Sequence, residues 1–486
     1  MSVRGAAVWA MAGQYLSFAI QFATSVIISR LFLGPGEVGL FSIGMAAALV
    51  VAVLQDFGLS RYISGLPVLD RDEIARCASV AMLFALGIAL VLAAASETLA
   101  GLYQMPALGP LLRVIALSYL FVPLSVVPMA LMARAMQFRG HFAVNLSGAL
   151  AQGGVGLALA AAGSSSMALA WATVAAAAAR GLAAQVLCPS IPRRLRFDAI
   201  GQVLGFGARS SLLYLSGALG TRTPDLIVGK ALGAFAVGLF SRAASLSDQF
   251  RMLISGAIGS VFYPAFARIR DRGEPMGPAY LRVCAGYSGV VWPGMAGLAL
   301  ASEPLIRTLY GAAWAATATP LTMIALTEIL LVALPLHIDL PILAGRLNAL
   351  LARNIVDTIM SIGLLAIGCH WGIAGAAASR LVYGAGWYLL YFGFMRRIIG
   401  FDARALARIY VRSGFVTLAA LAPLAAGYAF WIPSNAMPFS ALALCVATGG
   451  LFWLAALALV RHPVLDELSG MTAHVPLLRR FMPSRT

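Results

Sequence analysis

The sequence contains few charged residues and almost no lysine. Of its 486 residues only 11% are charged, 61% are hydrophobic, and Lys230 is the single lysine. Apolar stretches long enough to cross a bilayer recur from end to end, which excludes a soluble globular protein. We therefore predict an all-α integral membrane protein with about 14 transmembrane helices.

Motifs for metal binding, disulfides and nucleotide hydrolysis are also lacking. The five cysteines form no CxxC pair and have no ligand spacing to histidines. There is no Walker P-loop and no HExxH motif, so ATP-driven export and metallohydrolysis lack support. We predict a protein that is not an enzyme, with no catalytic residues, no metal and no cofactor.

The formal charge of +16 comes mainly from arginines in short connections between hydrophobic segments. The even-numbered connections carry the arginines and the odd ones are nearly bare, which is the pattern of the positive-inside rule. The arginine pattern indicates how the protein is oriented in the membrane, and we expect no nucleic-acid partner. We expect a bacterial inner membrane protein with both termini in the cytoplasm.

An internal repeat organises the chain. Val-Gly-Leu-Phe-Ser at 38–42 recurs at 237–241, and the same shift of 199 relates Gly34 to Gly233. Six spans separate the copies, so the repeats are parallel, as in transporters that bind substrate between two lobes and alternate access. The predicted division is an N-lobe with six helices, a C-lobe with six, an additional helix pair and a cytoplasmic tail: 1–190, 191–395, 396–462 and 463–486.

Two cytoplasmic linkers each begin a short segment with apolar residues at helical spacing, at Phe197-Asp198-Ala199 and Phe401-Asp402-Ala403. Aspartate is a favourable N-cap residue. We predict short amphipathic helices on the inner surface there, with Arg404 and Arg408 directed toward lipid headgroups.

Several segments resemble one transporter family when read in order. They are Ser29 to Pro35, Asp56-Phe57-Gly58-Leu59, Asp225 to Ser241, Phe262 to Phe266 and Leu305 to Trp314. Together they are similar to the Wzx-type polysaccharide flippases of the MOP exporter superfamily, over about residues 5 to 400. The resemblance implies two six-helix bundles in a V shape. It also implies an undecaprenyl-diphosphate-linked oligosaccharide as substrate, flipped to the periplasmic leaflet through a cationic central cavity.

The stretch from Thr221 to Ser255 places charged residues in apolar sequence. A charge at mid-bilayer costs several kcal/mol unless it faces a partner or water, so intramembrane charges are candidates for function. One face of the eighth span is polar, whereas most of the equivalent first-lobe positions are apolar. In this hairpin we assign substrate binding to Arg222, Arg242, Gln249 and Arg251, with ion coupling assigned to Asp225 and Asp248.

Further candidates lie elsewhere in the spans. The substrate-binding set also contains Gln14, Gln21, Arg30, Arg61, Arg180 and Arg380, and the ion-coupling set contains Asp56, Glu328 and Asp357. A structural role is the alternative for several of them. Arg222 could pair with Asp225, and Arg353 with Asp357, at helical spacing, while Arg30 and Arg61 could reach the interface.

Three other functions remain open. A multidrug antiporter of the same superfamily would share the two-lobed plan, but lipophilic cations favour acids, and basic residues outnumber acids here. A glycosyltransferase or polymerase would be expected to carry a long outer loop with carboxylates, and the outer connections are short. A scaffold without transport is the third. The expected partners are the lipid-linked oligosaccharide, membrane lipids, and a polysaccharide polymerase with its assembly complex.

Overall fold

The computed structural model describes residues 3–56, 59, 62–63, 70–191, 196, 201–259 and 262–465, without the side chains of 3–12, 53–56, 201–222, 254–259 and 264. Over these residues the chain is helical and contains no strand. Ten described helices are long and apolar enough to cross a membrane, or eleven if one bent pair is a single span. The all-α membrane fold is confirmed, whereas the count of 14 helices and the layout of the lobes stay predictions.

The chain forms two compact units, Met1–Ser241 and Arg242–Thr486. The helices before the boundary are α1 Val3–Leu31, α2 Pro35–Asp56, α3 Arg71–Tyr103, α4 Leu108–Phe121, α5 Pro123–Arg134, α6 Phe138–Ala161 and α7 Met167–Leu187. Helix α8, Gly201–Gly259, crosses the boundary. The others are α9 Phe262–Asp271, α10 Met276–Leu300, α11 Ser302–Tyr310, α12 Ala318–Val332, α13 Asp339–Leu343, α14 Leu347–Gly368, α15 Gly372–Ile399, α16 Ala403–Phe430 and α17 Phe439–Leu459.

Helix α8 consists of two helical limbs that are joined by a kink at Gly233. Gly233 has φ 85° and ψ 176°, a conformation that residues with a side chain rarely adopt. The first copy of the repeat breaks at the equivalent place, because Gly34 lies between the end of α1 and the start of α2. The predicted seventh and eighth spans therefore meet at the glycine that the repeat identified.

The apolar stretch 108–134 is broken into α4 and α5, which meet at an angle of 41°. Pro123 is the first residue of α5, and it has no N–H to continue the hydrogen-bond ladder of α4. Hydropathy does not reveal this bend, since a proline within an apolar run bends a helix without interrupting its hydropathy.

Equivalent residues of the two repeat copies touch each other within the first unit. A Cβ atom at Gly39 would lie 1.7 Å from the Ala234 carbonyl oxygen, and one at Gly238 would lie 1.8 Å from the Pro35 carbonyl oxygen. The Ser241 hydroxyl donates to the Ser42 hydroxyl at 3.1 Å. The shift of 199 relates Gly39 to Gly238 and Pro35 to Ala234, so it exchanges the two glycine contacts. The crossing of α2 and the second limb of α8 is thus locally twofold symmetric, with a glycine at each close approach.

The segment around Asp402 differs from the prediction. Asp402 is an N-cap residue as expected, and its carboxylate accepts hydrogen bonds from the N–H groups of Arg404 and Ala405 at 3.0 and 3.1 Å. The helix that it caps, however, is α16, which runs unbroken for 28 residues. The predicted separate amphipathic helix is wrong at this linker, and residues 197–200 lie outside the described part.

Candidate functional site

Arg180 lies in α7 of the first unit, after a run of alanines that begins at Ala175. Its side chain is half-buried and packs over Gly148 of α6, where a Cβ atom would lie 2.3 Å from the Arg180 Nε. Within the described part of the chain this guanidinium forms no ion pair, and its buried Nε has no hydrogen-bond acceptor. Small residues of α6 and α7 therefore make room for this cation, and no acidic side chain pairs with it among the described residues.

Arg242 begins the second unit and is held by aromatic rings. Its guanidinium carbon lies 5.1 Å from the ring centre of Tyr310 and 5.3 Å from that of Trp314. The two rings are brought together because Gly311, with φ 88°, turns the chain between α11 and the following short helix. Stacking on aromatic faces stabilises the cation through the ring quadrupole and leaves the edge of the guanidinium as the donor side.

Arg251, predicted to bind substrate, lies between two carboxylates of the second unit. It pairs with Asp248 three residues earlier on α8, and its Nε lies 3.1 Å from the Oε2 of Glu328 on α12. The Asp248 side chain is 59% exposed and that of Glu328 only 16%, so the second pair is the better shielded from water. Gln249 is half-buried and donates to the Ser245 hydroxyl at 3.3 Å.

Arg380 of α15 extends these charges toward α14. Its Nη1 donates to the Ser361 hydroxyl at 2.9 Å, and its guanidinium lies 4.5 Å from the ring centre of Tyr383. Glu328 and Asp357 both interact with it electrostatically. The side chains thus alternate in sign through the second unit, and we name this set the charge network: Asp248, Arg251, Glu328, Arg380 and Asp357.

Asp357 differs from the other acids of the charge network. It faces the Tyr383 hydroxyl and the Arg380 guanidinium, yet its buried Oδ1 has no hydrogen-bond partner in the described part of the chain. The predicted pair between Arg353 and Asp357 is wrong. Arg353 instead donates to the Ala349 carbonyl at 2.9 Å and lies 3.9 Å from the ring centre of Phe394.

The remaining sequence candidates lie outside the charge network. Gln14, Gln21 and Arg30 are exposed along α1, and Asp225 is half-buried in α8. Arg61 and the side chains of Asp56 and Arg222 lie outside the described part, which includes the predicted pair between Arg222 and Asp225. Among the described residues no group of three or more His, Cys, Asp and Glu side chains could hold a metal ion.

The groups that orient the arginines could not be recognised from the sequence. Tyr310 and Trp314 lie in the segment Leu305 to Trp314, which was noted for its resemblance but not as part of a site. Ser361 and Tyr383 had no signal, because an isolated serine or tyrosine in an apolar span is common. Gly148 could have been found only by placing α6 against α7.

The sequence matches a described protein family over more than half of its length. A family model described as polysaccharide biosynthesis protein matches residues 27–319. The lipopolysaccharide biosynthesis protein WzxC of Escherichia coli strain K12 is 22% identical over 409 residues, which cover 82% of this chain and 81% of WzxC.

Two solved structures share the fold. A structure of the lipid II flippase MurJ in an inward closed conformation has a TM-score of 0.72 at 14% identity, covering 94% of this chain and all of the MurJ chain. An inward-facing multidrug resistance MATE family transporter of the MOP superfamily has a TM-score of 0.58 at 16% identity, covering 81% of this chain and 96% of that one. These likenesses show that the chain shares the fold of MurJ and of the MATE transporter.

Proposed function

Because the chain belongs to the polysaccharide biosynthesis protein family, we propose that it flips a lipid-linked oligosaccharide across the bacterial inner membrane. The substrate is an undecaprenyl-diphosphate-linked repeat unit for exopolysaccharide, capsule or O-antigen, and it moves from the cytoplasmic to the periplasmic leaflet. WzxC, by its name, acts in lipopolysaccharide biosynthesis, and MurJ is a flippase of lipid II. These relatives support a polyprenyl-linked sugar as the chemical class.

The observation that carries the proposal is Arg180. A guanidinium in apolar surroundings with no counter-charge is costly, and a bound anion removes that cost. Arginine presents its N–H groups in a fork that matches a phosphate, so a diphosphate is a suitable ligand. Arg242, stacked on Tyr310 and Trp314, is the second proposed contact, and Gln14 and Gln21 are proposed to contact sugar hydroxyls.

The charge network is proposed to couple transport to an ion. Arg251 and Arg380 each have carboxylate neighbours there, which makes them counter-ions more than substrate ligands. Asp357 retains an oxygen without a hydrogen bond, and a proton or a sodium ion could occupy that position. Asp56, Asp225, Asp248 and Glu328 remain proposed members of the coupling set.

The contact between the repeat copies supports alternating access. Gly39 and Gly238 allow backbone-to-backbone contact, with little side-chain packing to lose when the helices separate. In the predicted orientation both termini are cytoplasmic. This crossing then lies on the periplasmic side, near the start of α2 and near the kink of α8 at Gly233. We propose that it closes the periplasmic side and opens to release the flipped glycan.

A multidrug antiporter is the second candidate, because the MATE structure shares the fold. Its cationic substrates would be repelled by Arg180 and Arg242, so the two functions predict opposite charge preferences.

The test uses the full chain in proteoliposomes with a polyprenyl-diphosphate-linked oligosaccharide and leaflet-specific labelling of the sugar. We expect flipping by the native chain and a loss of about tenfold or more in Arg180→Gln, since a hydrogen bond to a charged group contributes about 1.5 to 3 kcal/mol. The matched control is Arg272→Gln, whose side chain is 70% exposed. Equal flipping by both variants would remove Arg180 from the site, and efflux of a lipophilic cation without sugar flipping would favour the antiporter.

A further inference from the structure

The cytoplasmic part of α16 carries three arginines in one stripe. Arg404, Arg408 and Arg412 are four residues apart and all exposed, and we name them the arginine ladder. The N-cap at Asp402 fixes the start of the helix, so their register is defined. Four-residue spacing places side chains on neighbouring turns of the same face.

The arginine ladder shares its face with apolar side chains. Val411 is 73% exposed, Phe415 47% and Leu418 69%, whereas Leu406 and Ser413 on the opposite side are buried. In a membrane span such exposed apolar residues face lipid. Arg412, which lies beside Val411 and Phe415, is therefore next to acyl chains. An arginine in a loop would be surrounded by water.

The arginine ladder is long enough to extend across the polar layer of the bilayer. At 1.5 Å per residue, Arg404 and Arg412 are separated by about 12 Å along the helix. The interfacial layer on each side of the hydrocarbon is about 5 to 8 Å thick. When Arg404 lies among headgroups, Arg412 reaches the hydrocarbon boundary, and its long side chain extends back toward the phosphates.

Several other arginines that we predict on the cytoplasmic side are paired within the chain. Arg76 pairs with Glu73, Arg196 with Asp72, and Arg270 with Asp271. None of the three arginines in the arginine ladder forms a side-chain ion pair or hydrogen bond in the described part of the chain. Their counter-charge therefore comes from another molecule.

The segment after α17 packs against the buried side of α16. His462, which follows α17, is 1% exposed, and its Nε2 lies 3.0 Å from the hydroxyl of Ser413, the residue after Arg412. The Val464 N–H donates to Nδ1 at 3.3 Å, which places the ring proton on Nε2. This bond fixes the end of α17 against α16, and the exposed Arg461 immediately precedes His462.

We propose that Arg408 and Arg412 bind the headgroup phosphate of one anionic phospholipid in the cytoplasmic leaflet. The arginines supply the charge, and the exposed apolar side chains beside them contact the acyl chains. The bound lipid holds the cytoplasmic end of α16 at the level of the lipid headgroups. The site is separate from Arg180 and from the charge network, so it stands whether or not the chain flips a glycan.

The experiment measures lipid binding to the purified full chain in detergent by native mass spectrometry. The probes are phosphatidylglycerol, phosphatidylethanolamine and inorganic phosphate. We expect saturable binding of phosphatidylglycerol in preference to phosphatidylethanolamine, with no displacement by millimolar phosphate. Each arginine near the surface contributes about fivefold to affinity for an anionic lipid, so Arg408→Ala/Arg412→Ala lowers affinity about 25-fold.

The matched control is Arg396→Ala/Arg397→Ala. It removes the same charge from the end of α15, where both arginines are exposed and without an ion pair in the described residues. Equal losses in the two double variants would overturn the site in favour of non-specific attraction. Equal binding of phosphatidylethanolamine, or displacement by phosphate, would also overturn it. If the double variant does not fold, Arg408→Gln and Arg412→Gln each replace it, with an expected loss of about fivefold.

Discussion

The two units of the molecule hold their membrane-embedded arginines in opposite ways. In the first unit Arg180 packs against a glycine and has no counter-charge among the described residues. In the second unit Arg251 and Arg380 alternate with the acids of the charge network. An unpaired cation favours an anionic ligand, whereas a network of three acids and two arginines has one excess negative charge for a proton or cation to neutralise. The difference favours substrate binding for Arg180 and ion coupling for the charge network.

The largest expected effect follows from removing the shielded acid of the charge network. Glu328→Gln leaves Arg251 and Arg380 less compensated, and we expect a loss of about 3 kcal/mol in unfolding free energy in detergent. The control is Asp248→Asn, the exposed partner of the same arginine, for which we expect less than about 1 kcal/mol. Similar losses in the two variants would show that the pair with Glu328 is not the stronger one.

The second unit also holds a buried polar chain with no net charge, from Ser288 through Ser413 to His462, with oxygen and nitrogen separations of 2.8 and 3.0 Å. Burial, with a smaller effect from Arg412, lowers the pKa of His462 to about 4. Because the unfolded histidine has the higher pKa, stability is full above about pH 6.5 and falls as the pH drops toward 4.

At pH 5 this loss amounts to about 2 kcal/mol relative to pH 7. His462→Gln keeps a donor near the Ser413 hydroxyl but cannot be protonated. We expect its melting temperature to fall less than that of the native chain over this pH range. The same pH dependence in both proteins would contradict the assignment.

In the first unit, removal of a charged side chain should raise the unfolding stability instead of lowering it. Arg180→Met removes an uncompensated charge, so we expect unfolding stability to rise by about 1 kcal/mol while sugar flipping falls. Arg251→Met is the comparison in the second unit, and it should lower stability because Glu328 loses its partner. Destabilisation by Arg180→Met of the same size would mean that Arg180 is structural.

The smallest effect is expected from the glycine beneath Arg180. Gly148→Ala displaces the flexible guanidinium, and we expect flipping to fall a few-fold with a change in stability below about 1 kcal/mol. Gly154→Ala on the same helix is the control, since its added Cβ meets no atom within 4 Å. A flipping rate unaffected by Gly148→Ala would indicate that the position of Arg180 is not critical.

Hydropathy and the repeat predicted much of the fold. Hydropathy indicated an all-helical membrane protein, and the repeat related the break at Gly233 to Gly34. The bend before Pro123 was not predicted, because hydropathy does not change at a proline within a span.

Several contacts of the candidate site arise from tertiary packing, and they could not be predicted from the sequence. The sequence identified Arg180 and Arg242 as candidates because charges in apolar spans are conspicuous. It did not identify Tyr310 and Trp314, which contact Arg242 across a turn. Helical spacing suggested a pair between Arg353 and Asp357, but the ring of Phe394 competes for the guanidinium.

The proposed flipping mechanism is tested most directly through Ser42 and Ser241, whose hydroxyls are 3.1 Å apart. Ser42→Cys/Ser241→Cys is reconstituted in proteoliposomes, and leaflet-specific labelling of the lipid-linked oligosaccharide is measured before oxidation, after oxidation and after reduction. We expect flipping that stops when the disulfide joins the repeat copies and returns when it is reduced, with no effect of oxidation on Ser42→Cys alone. Flipping that continues at the same rate with the disulfide formed, or no flipping in any state of the native chain, would contradict the proposal.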